Sequence, residues 1–310
     1  MAEFVKALVV PLCSTTVSKE ELLRCVNSVV DQEYHPFEWD LKVVCNTNDD
    51  DYYNGIKSAI KDFEVVKTKS NGGNGMGHNS VLDLYKSLYK KENYTHLIMI
   101  DGDDFYYPCA FESIGDLNQI VDFDYLSNMQ ITDSVRCHET QQPHKEVIPG
   151  VWLHSYFNFR FPVPSYTYWD GHNCTGGEVT LAISSRAVEC DLKHLEVPNI
   201  PDDFTHMLWA LKAHVEGKLL FVNTDCNDVY VYDKTNPIGT TNQPEFVFSP
   251  DQWPEAERQL LRGNTFECLR DFNRQQLPWV TIPQIMSPEE KIDFVKANLI
   301  NKGQFKNWQA

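Results

Sequence analysis

Within the first hundred residues, four short strand-like runs at 4–11, 41–45, 64–67 and 97–100 are separated by three stretches with helical spacing. The first of these carries Leu22, Leu23, Val26, Val29 and Val30, the second covers 52–63, and the third carries Val81, Leu82, Leu84, Tyr85, Leu88 and Tyr89. This alternation constrains the fold strongly, because parallel neighbours in a sheet need a crossover and a helix is the usual one. It predicts an α/β protein with a mostly parallel central sheet flanked by helices. In such sheets ligands bind beyond the carboxyl ends of the strands.

The polar motifs of this region fall at that edge. Leu97-Ile98-Met99-Ile100 runs straight into Asp101-Gly102-Asp103-Asp104. Three carboxylates on one turn repel one another, an arrangement that makes chemical sense when a hard divalent cation and a polyphosphate complete the site. Oxygen ligands suit Mn2+ or Mg2+, and Gly102 lets a ligand approach the backbone closely. Asp and Gly are also ordinary turn residues, so the neighbouring motifs must decide. The first run ends at Pro11 and Leu12, followed by Ser14, and the second ends in Asn46-Thr47-Asn48-Asp49-Asp50-Asp51. The third leads into the glycine-rich stretch from Asn71 to Asn79, which includes Asn74 and Gly75.

A chain of 310 residues can bury a substantial core, and 42% hydrophobic residues is ordinary for a soluble protein. Against 27 Lys and Arg stand 44 Asp and Glu, a formal net charge of -17. That charge disfavours nucleic acid and anionic membranes as partners, and it means an anionic nucleotide would need local help from a metal. Nine cysteines without a CxxC pair predict reduced thiols and a cytoplasmic, soluble setting. The apolar start is too short to span a bilayer, which makes it a buried strand rather than a transmembrane segment.

Beyond Pro108 the pattern loosens. A helix is expected over 111–120, strands near 124–131, 180–184, 219–222 and 229–232, and a helix over 204–215. Residues 152–169 are rich in aromatic side chains. After about 240, six prolines surround two helix candidates at 255–272 and 288–299, which predicts a helical C-terminal appendage over 243–310.

Taken together, the strand ending in Pro11, the segment Leu23-Arg24-Cys25-Val26-Asn27-Ser28-Val29-Val30-Asp31-Gln32, the glycine-rich stretch and Asp101-Gly102-Asp103-Asp104 resemble family 2 glycosyltransferases. The likeness covers 5–115 well and continues weakly to about 242. It implies the GT-A nucleotide-diphospho-sugar transferase fold over 1–242, with a donor half at about 1–115 and an acceptor half at about 116–242.

The resemblance also implies roles. Asp103 would coordinate the metal that bridges the donor diphosphate, with Asp101 near the ribose or a metal-bound water and Asp104 as alternative ligand or orienting neighbour. Pro11, Leu12, Ser14, Asn46 and Asp49 would line the base site, although the family more often has Asp where this chain has Asn46. Asn74, Gly75, Asn79 and Gly102 would approach the donor, while a tight helix entry accounts for the same glycines equally well. Asp202 and Asp203 match the family's acidic pair at a helix start, with Asp203 favoured as the base and Asp202 as its understudy or a helix cap. Trp169, His172, Gly176, Gly177 and Glu178 would contact the acceptor. Some relatives supply a further metal ligand, often His, near the end of the domain; this chain offers Asp233 or Asn236 there.

The reading is a metal-dependent inverting glycosyltransferase of hexosyltransferase type that moves a sugar, UDP-sugar favoured, to a hydroxyl of a glycan or other acceptor. Peripheral association with membrane-bound acceptor machinery is compatible with it. Two alternatives stand beside it: a sugar-phosphate nucleotidyltransferase, whose Gly-rich basic loop after the first strand is here Cys13-Ser14-Thr15-Thr16-Val17-Ser18, and a non-catalytic sugar-nucleotide or glycan-binding protein.

Overall fold

The computed structural model describes residues 4–120, 123–128, 132–133, 145–148, 151–153, 158–160, 179–199, 202, 206, 209–210, 213, 218–224, 229–233, 238 and 279–281. The first part is a strand-helix alternation: β1 (Lys6–Cys13), α1 (Lys19–Val30), β2 (Glu38–Asn46), α2 (Asp50–Ala59), β3 (Glu64–Thr68), α3 (Asn74–Glu92) and β4 (His96–Asp101). There follow β5 (Phe105–Tyr106), α4 (Ala110–Ile120), β6 (Tyr125–Asn128), β7 (Thr132–Asp133), β8 (Lys145–Ile148), β9 (Val151–Leu153) and β10 (Asn158–Arg160). The last described elements are β11 (Val179–Ser184), α5 (Ser185–Glu189), β12 (Phe221–Thr224), β13 (Tyr230–Tyr232) and β14 (Trp279–Thr281).

Nine strands form the main sheet in the order β14-β10-β12-β6-β11-β4-β1-β2-β3. The pairs β1/β2, β1/β4, β2/β3 and β6/β12 are parallel, whereas β11 lies antiparallel between β4 and β6. The expected mostly parallel sheet is present, and β11 and β10 are the strands that run against it. A smaller sheet, β5-β13-β7, joins the turn after β4 to the segment that closes the domain.

Alternating side chains of the central strands feed two cores, as the two-residue period of a strand requires. Ala7, Val9, Val43, Ile98 and Ile100 pack with Leu22, Val26 and Val29 of α1 and Ile56 of α2. Leu8, Val10, Val44, Leu97 and Met99 pack on the other face with Val81, Leu82 and Tyr85 of α3 and Ala187 and Val188 of α5. Burial on both faces explains why these strands read as nearly continuous apolar runs. Pro11 sits inside a central strand, and the pairing of β1 with β2 skips Val10 and Pro11, where the missing N–H would leave a gap in the ladder.

Helix starts follow local chemistry. Ser18 and Glu21 form a reciprocal capping box on α1. Asp49 accepts from the N–H groups of Asp51 and Tyr52 at 2.9 and 3.0 Å, so α2 begins two residues before the expected 52–63 helix. The aromatic stretch 152–169 is described only in short strands, and the expected helices at 255–272 and 288–299 lie outside the described residues. Within 243–310 only 279–281 is described; it lies between the two helix candidates and forms a strand at the edge of the main sheet.

Candidate functional site

Strand order reverses at β1, which has β2 on one side and β4 on the other, so the carboxyl ends of β1 and β4 form the crevice where ligands bind in such sheets. Leu12 and Asp101 are register partners at that edge. Just beyond, the Gly102 N–H donates to the Leu12 carbonyl at 2.7 Å. A Cβ on Gly102 would lie 2.8 Å from that same oxygen, so only glycine lets the acidic turn fold over the end of β1.

The acids of the turn have distinct surroundings. Asp104 is 1% exposed. It accepts a hydrogen bond from the Tyr230 hydroxyl and another from the Asp233 N–H at 2.8 Å, which makes it the orienting member of the turn. Burial and the Asp103 and Asp101 charges raise its carboxyl well above the usual range. Burial and then the nearby Asp101 push the Asp103 carboxyl up to about 7. Among the described residues no cation pairs with the Asp103 carboxylate. The neighbouring Arg24 instead donates to the Asp103 carbonyl, lies 4.7 Å from the Phe105 ring centroid, and pairs with the buried Asp233 carboxylate at 2.6 Å. The residue expected as a further metal ligand is thus held in an ion pair.

On the opposite flank stands His78, in the first turns of α3 and 5% exposed. Its Nε2 lies 2.9 Å from Asp101 Oδ1 and its Nδ1 2.6 Å from Asp202 Oδ2. The same Asp202 oxygen is 2.9 Å from His194 Nδ1, and the His194 ring stacks on that of His206 at 4.0 Å. Burial alone would lower the pKa of His78, but the Asp202 and Asp101 carboxylates outweigh it and raise it well above its ordinary value. His206 is lowered well below its ordinary value by burial and then by His194 and His78, which outweigh the Asp202 charge. For Asp202 burial acts upward, yet the two histidines win and hold it below the usual carboxylate range. His78, His194 and Asp202 have the makeup of a metal site, with ligand atoms within 4.8 Å of one another. At 2.6 and 2.9 Å the two ring nitrogens bond the carboxylate directly.

The glycine-rich segment is shaped by protein contacts. A Cβ on Gly75 would fall 1.9 Å from the Leu195 carbonyl oxygen, and one on Gly73 3.2 Å from the Pro198 nitrogen. Asn79 bonds the His194 N–H and carbonyl at 2.8 and 2.9 Å and also reaches Glu196. These residues dock the 194–198 segment against α3, and through it the histidine cluster. Asn74 opens the helix and is partly buried.

Where a base-site wall was expected, Asn46 turns its amide nitrogen to Thr68 Oγ1 and the Lys69 carbonyl at 2.9 and 2.6 Å, while Asp49 caps α2. Pro11 and Leu12 are buried, and the Ser14 and Thr16 hydroxyls are hydrogen-bonded at 2.9 Å. The structure therefore brings Pro11, Leu12, Asp101, Gly102 and Asp103 to one strand edge, with Asp202 reached through His78. Asp203, Trp169, His172, Gly176, Gly177, Glu178 and Asn236 lie outside the described residues.

His78, His194, Arg24 and Tyr230 carry much of this geometry and were not singled out by sequence. His78 sits beside Gly77 and Asn79 in a motif already noted, and Arg24 within another, but their partners are remote in the chain.

No protein-family model matches the sequence, and no curated protein matches it significantly. Among solved structures, S. aureus TarS 1-349 in complex with UDP-GlcNAc is similar over 98% of this chain and 89% of that chain, with a TM-score of 0.50 and 13% identity. The mannosyltransferase PcManGT from Pyrobaculum calidifontis, solved with GDP-Man and Mn2+, is similar over 96% of this chain and 74% of that chain, with a TM-score of 0.47 and 10% identity. At these identities the likeness is one of fold, and the TarS match agrees with the expected GT-A-like α/β layout and its mostly parallel sheet.

Proposed function

We propose that the protein is a divalent-metal-dependent, inverting glycosyltransferase that moves a hexose from a nucleotide-sugar, UDP-sugar favoured, to a hydroxyl of a glycan or other acceptor. The observation that carries this reading is the pair Asp101 and Asp103 at the strand-order reversal: a carboxyl pushed up to about 7, beside a like charge and with no cation paired to it among the described residues. Such a pair fits Mn2+ or Mg2+, hard ions that take carboxylate oxygens and share the rest of their shell with phosphates. Asp103 and the Asp101 oxygen not facing His78 would hold the ion. Asp233 would join them only by leaving Arg24. A bound ion there would neutralise charge on the departing diphosphate. The fold shared with a UDP-GlcNAc-bound protein supports the donor class.

The chain's own residues supply the rest. Pro11, Leu12 and Ser14 would form one wall of the base site, with Asn46 and Asp49 opposite. Asp203 would accept the proton of the acceptor hydroxyl as that oxygen attacks from the face opposite the diphosphate, which inverts the anomeric carbon. Asp202 is a poor base, because its carboxylate is buried and held by two histidines. Trp169, His172, Gly176, Gly177 and Glu178 are the proposed acceptor contacts, within an acceptor half at about 116–242 and ahead of an appendage at 243–310. No described helix is long and apolar enough to cross a membrane.

The test is calorimetric titration of UDP with Mn2+ into wild type and Asp103→Ala, alongside a screen for UDP or GDP release from UDP-Glc, UDP-GlcNAc, UDP-Gal and GDP-Man. Metal-dependent UDP binding should be lost in the variant while the circular dichroism spectrum is unchanged. Equal affinities, or no nucleotide release from any donor, would reject the reading.

A further inference from the structure

We propose that His78 is a positioning residue that ties the donor-side carboxylate Asp101 to Asp202, and so sets the place of the chain segment that carries the acceptor-side acid. This deepens the function proposed above and rests on it. The argument starts from the ring itself. An imidazole has two nitrogens on opposite sides, and here each meets a carboxylate, at 2.9 Å for Asp101 and 2.6 Å for Asp202. Both ring nitrogens are thus engaged, and the rigid ring acts as a spacer between two acids on different elements.

Everything around the spacer is arranged to keep it in place. Gly75 and Gly77, on either side of Met76 in the same turn of α3, admit the Leu195 backbone and the Leu12 side chain, which packs α3 tightly against both partners. Asn79 clamps the His194 backbone, and His194 in turn bonds the same Asp202 oxygen as His78. Asp202 is therefore fixed from two directions. Asp203 is its neighbour in sequence. A shift of about 1 Å in a reacting group costs on the order of 10²-fold in rate, so a spacer that fixes the acidic segment relative to Asp101 should act on turnover more than on donor affinity.

The experiment compares His78→Gln, Asp202→Asn and the double variant in turnover, read as UDP release from the donor panel, and in UDP affinity with Mn2+. Side-chain ¹⁵N–¹H NMR of the metal-free protein follows the ring nitrogens directly. In His78→Gln we expect turnover to fall roughly 10- to 100-fold, the usual scale for a supporting hydrogen-bond partner, with UDP affinity within about twofold of wild type. The double variant should be no worse than the weaker single one, since both changes break one unit. Asp202→Asn should shift the His78 Nδ1 signal, whose nitrogen faces Asp202 in the wild type. Multiplying losses in the double variant, unchanged turnover in a folded His78→Gln, or an equal fall in UDP affinity would overturn the proposal. An insensitive Nδ1 signal would also overturn it, and needs no turnover to read. Should wild type release no nucleotide while the NMR bridge is present, the glycosyltransferase reading fails and the effect of His78 on turnover fails with it; absent turnover effects in an active enzyme reject the positioning role of His78 alone.

Discussion

The two ends of the β1/β4 ladder each bury a histidine, and they treat it in opposite ways. At the carboxyl end His78 is set between Asp101 and Asp202 and its pKa is raised. At the amino end His96 stacks on Phe4 at 3.9 Å with Phe123 at 5.6 Å, and burial pushes its pKa down to about 3. The same side chain is thus held among carboxylates at one edge and packed among aromatic rings at the other. The difference teaches that the surroundings, not the residue type, decide how a buried histidine is held: carboxylates at one edge, aromatic rings at the other. Substitutions should divide accordingly: at the carboxyl edge they should change binding or turnover in a folded protein, and at the amino edge they should change stability alone.

The largest effect should come from Asp203→Asn, which keeps the shape of the acid but not its basicity. Turnover should drop by roughly 10²- to 10⁴-fold with UDP affinity preserved. Steady-state kinetics and product anomeric configuration check this; a matching loss of UDP affinity would erase the division of labour within the carboxyl edge, and a retained configuration would reject direct displacement.

At the amino edge, His96 should impose an acid-sensitive stability. Its folded pKa of about 3 lies below the ordinary 6.5, so as pH falls the unfolded chain takes up the proton first. Stability is complete above about 6.5 and declines toward about 3 by roughly 1.4 kcal/mol per pH unit. Urea unfolding across that window should show His96→Phe flattening the slope without altering UDP affinity. An unchanged slope would place the acid sensitivity elsewhere.

A smaller effect is expected for Thr95→Val. The Thr95 hydroxyl accepts from the Val5 and Lys6 N–H groups at 3.1 and 3.2 Å and donates to the Lys6 carbonyl at 3.0 Å, tying the start of β4 to the start of β1. Its loss should cost about 1 to 2 kcal/mol in unfolding free energy. Any accompanying change in nucleotide release would mean the two edges are coupled.

The layout of the first hundred residues was legible because its signals are local. Apolar runs, the helical spacing of Leu22, Val26 and Val29 and the acidic strand end each declare themselves within a few residues. The glycine-rich segment was recognised, but the reason for its glycines was hidden: Gly75 is required by a carbonyl 120 positions away, at Leu195. His78 was invisible for the same reason, since Asp202 is 124 positions distant and no local period marks the pair. Strands such as β6, β12 and β13 are only three or four residues long, too short for periodicity to fix their bounds or neighbours. Asp233 looked available as a ligand because its partner Arg24 lies at the other end of the domain.

The bonds of Asp104 to the Tyr230 hydroxyl and the Asp233 N–H have a consequence for affinity. They hold the acidic turn in its bent shape by protein contacts alone, with Gly102 fastened to the end of β1 from the other side. The entropy of ordering that loop is therefore lost during folding rather than on arrival of a nucleotide. Any ligand of that edge, such as the proposed donor, meets a preorganised rim, and more of its contact energy remains as binding free energy.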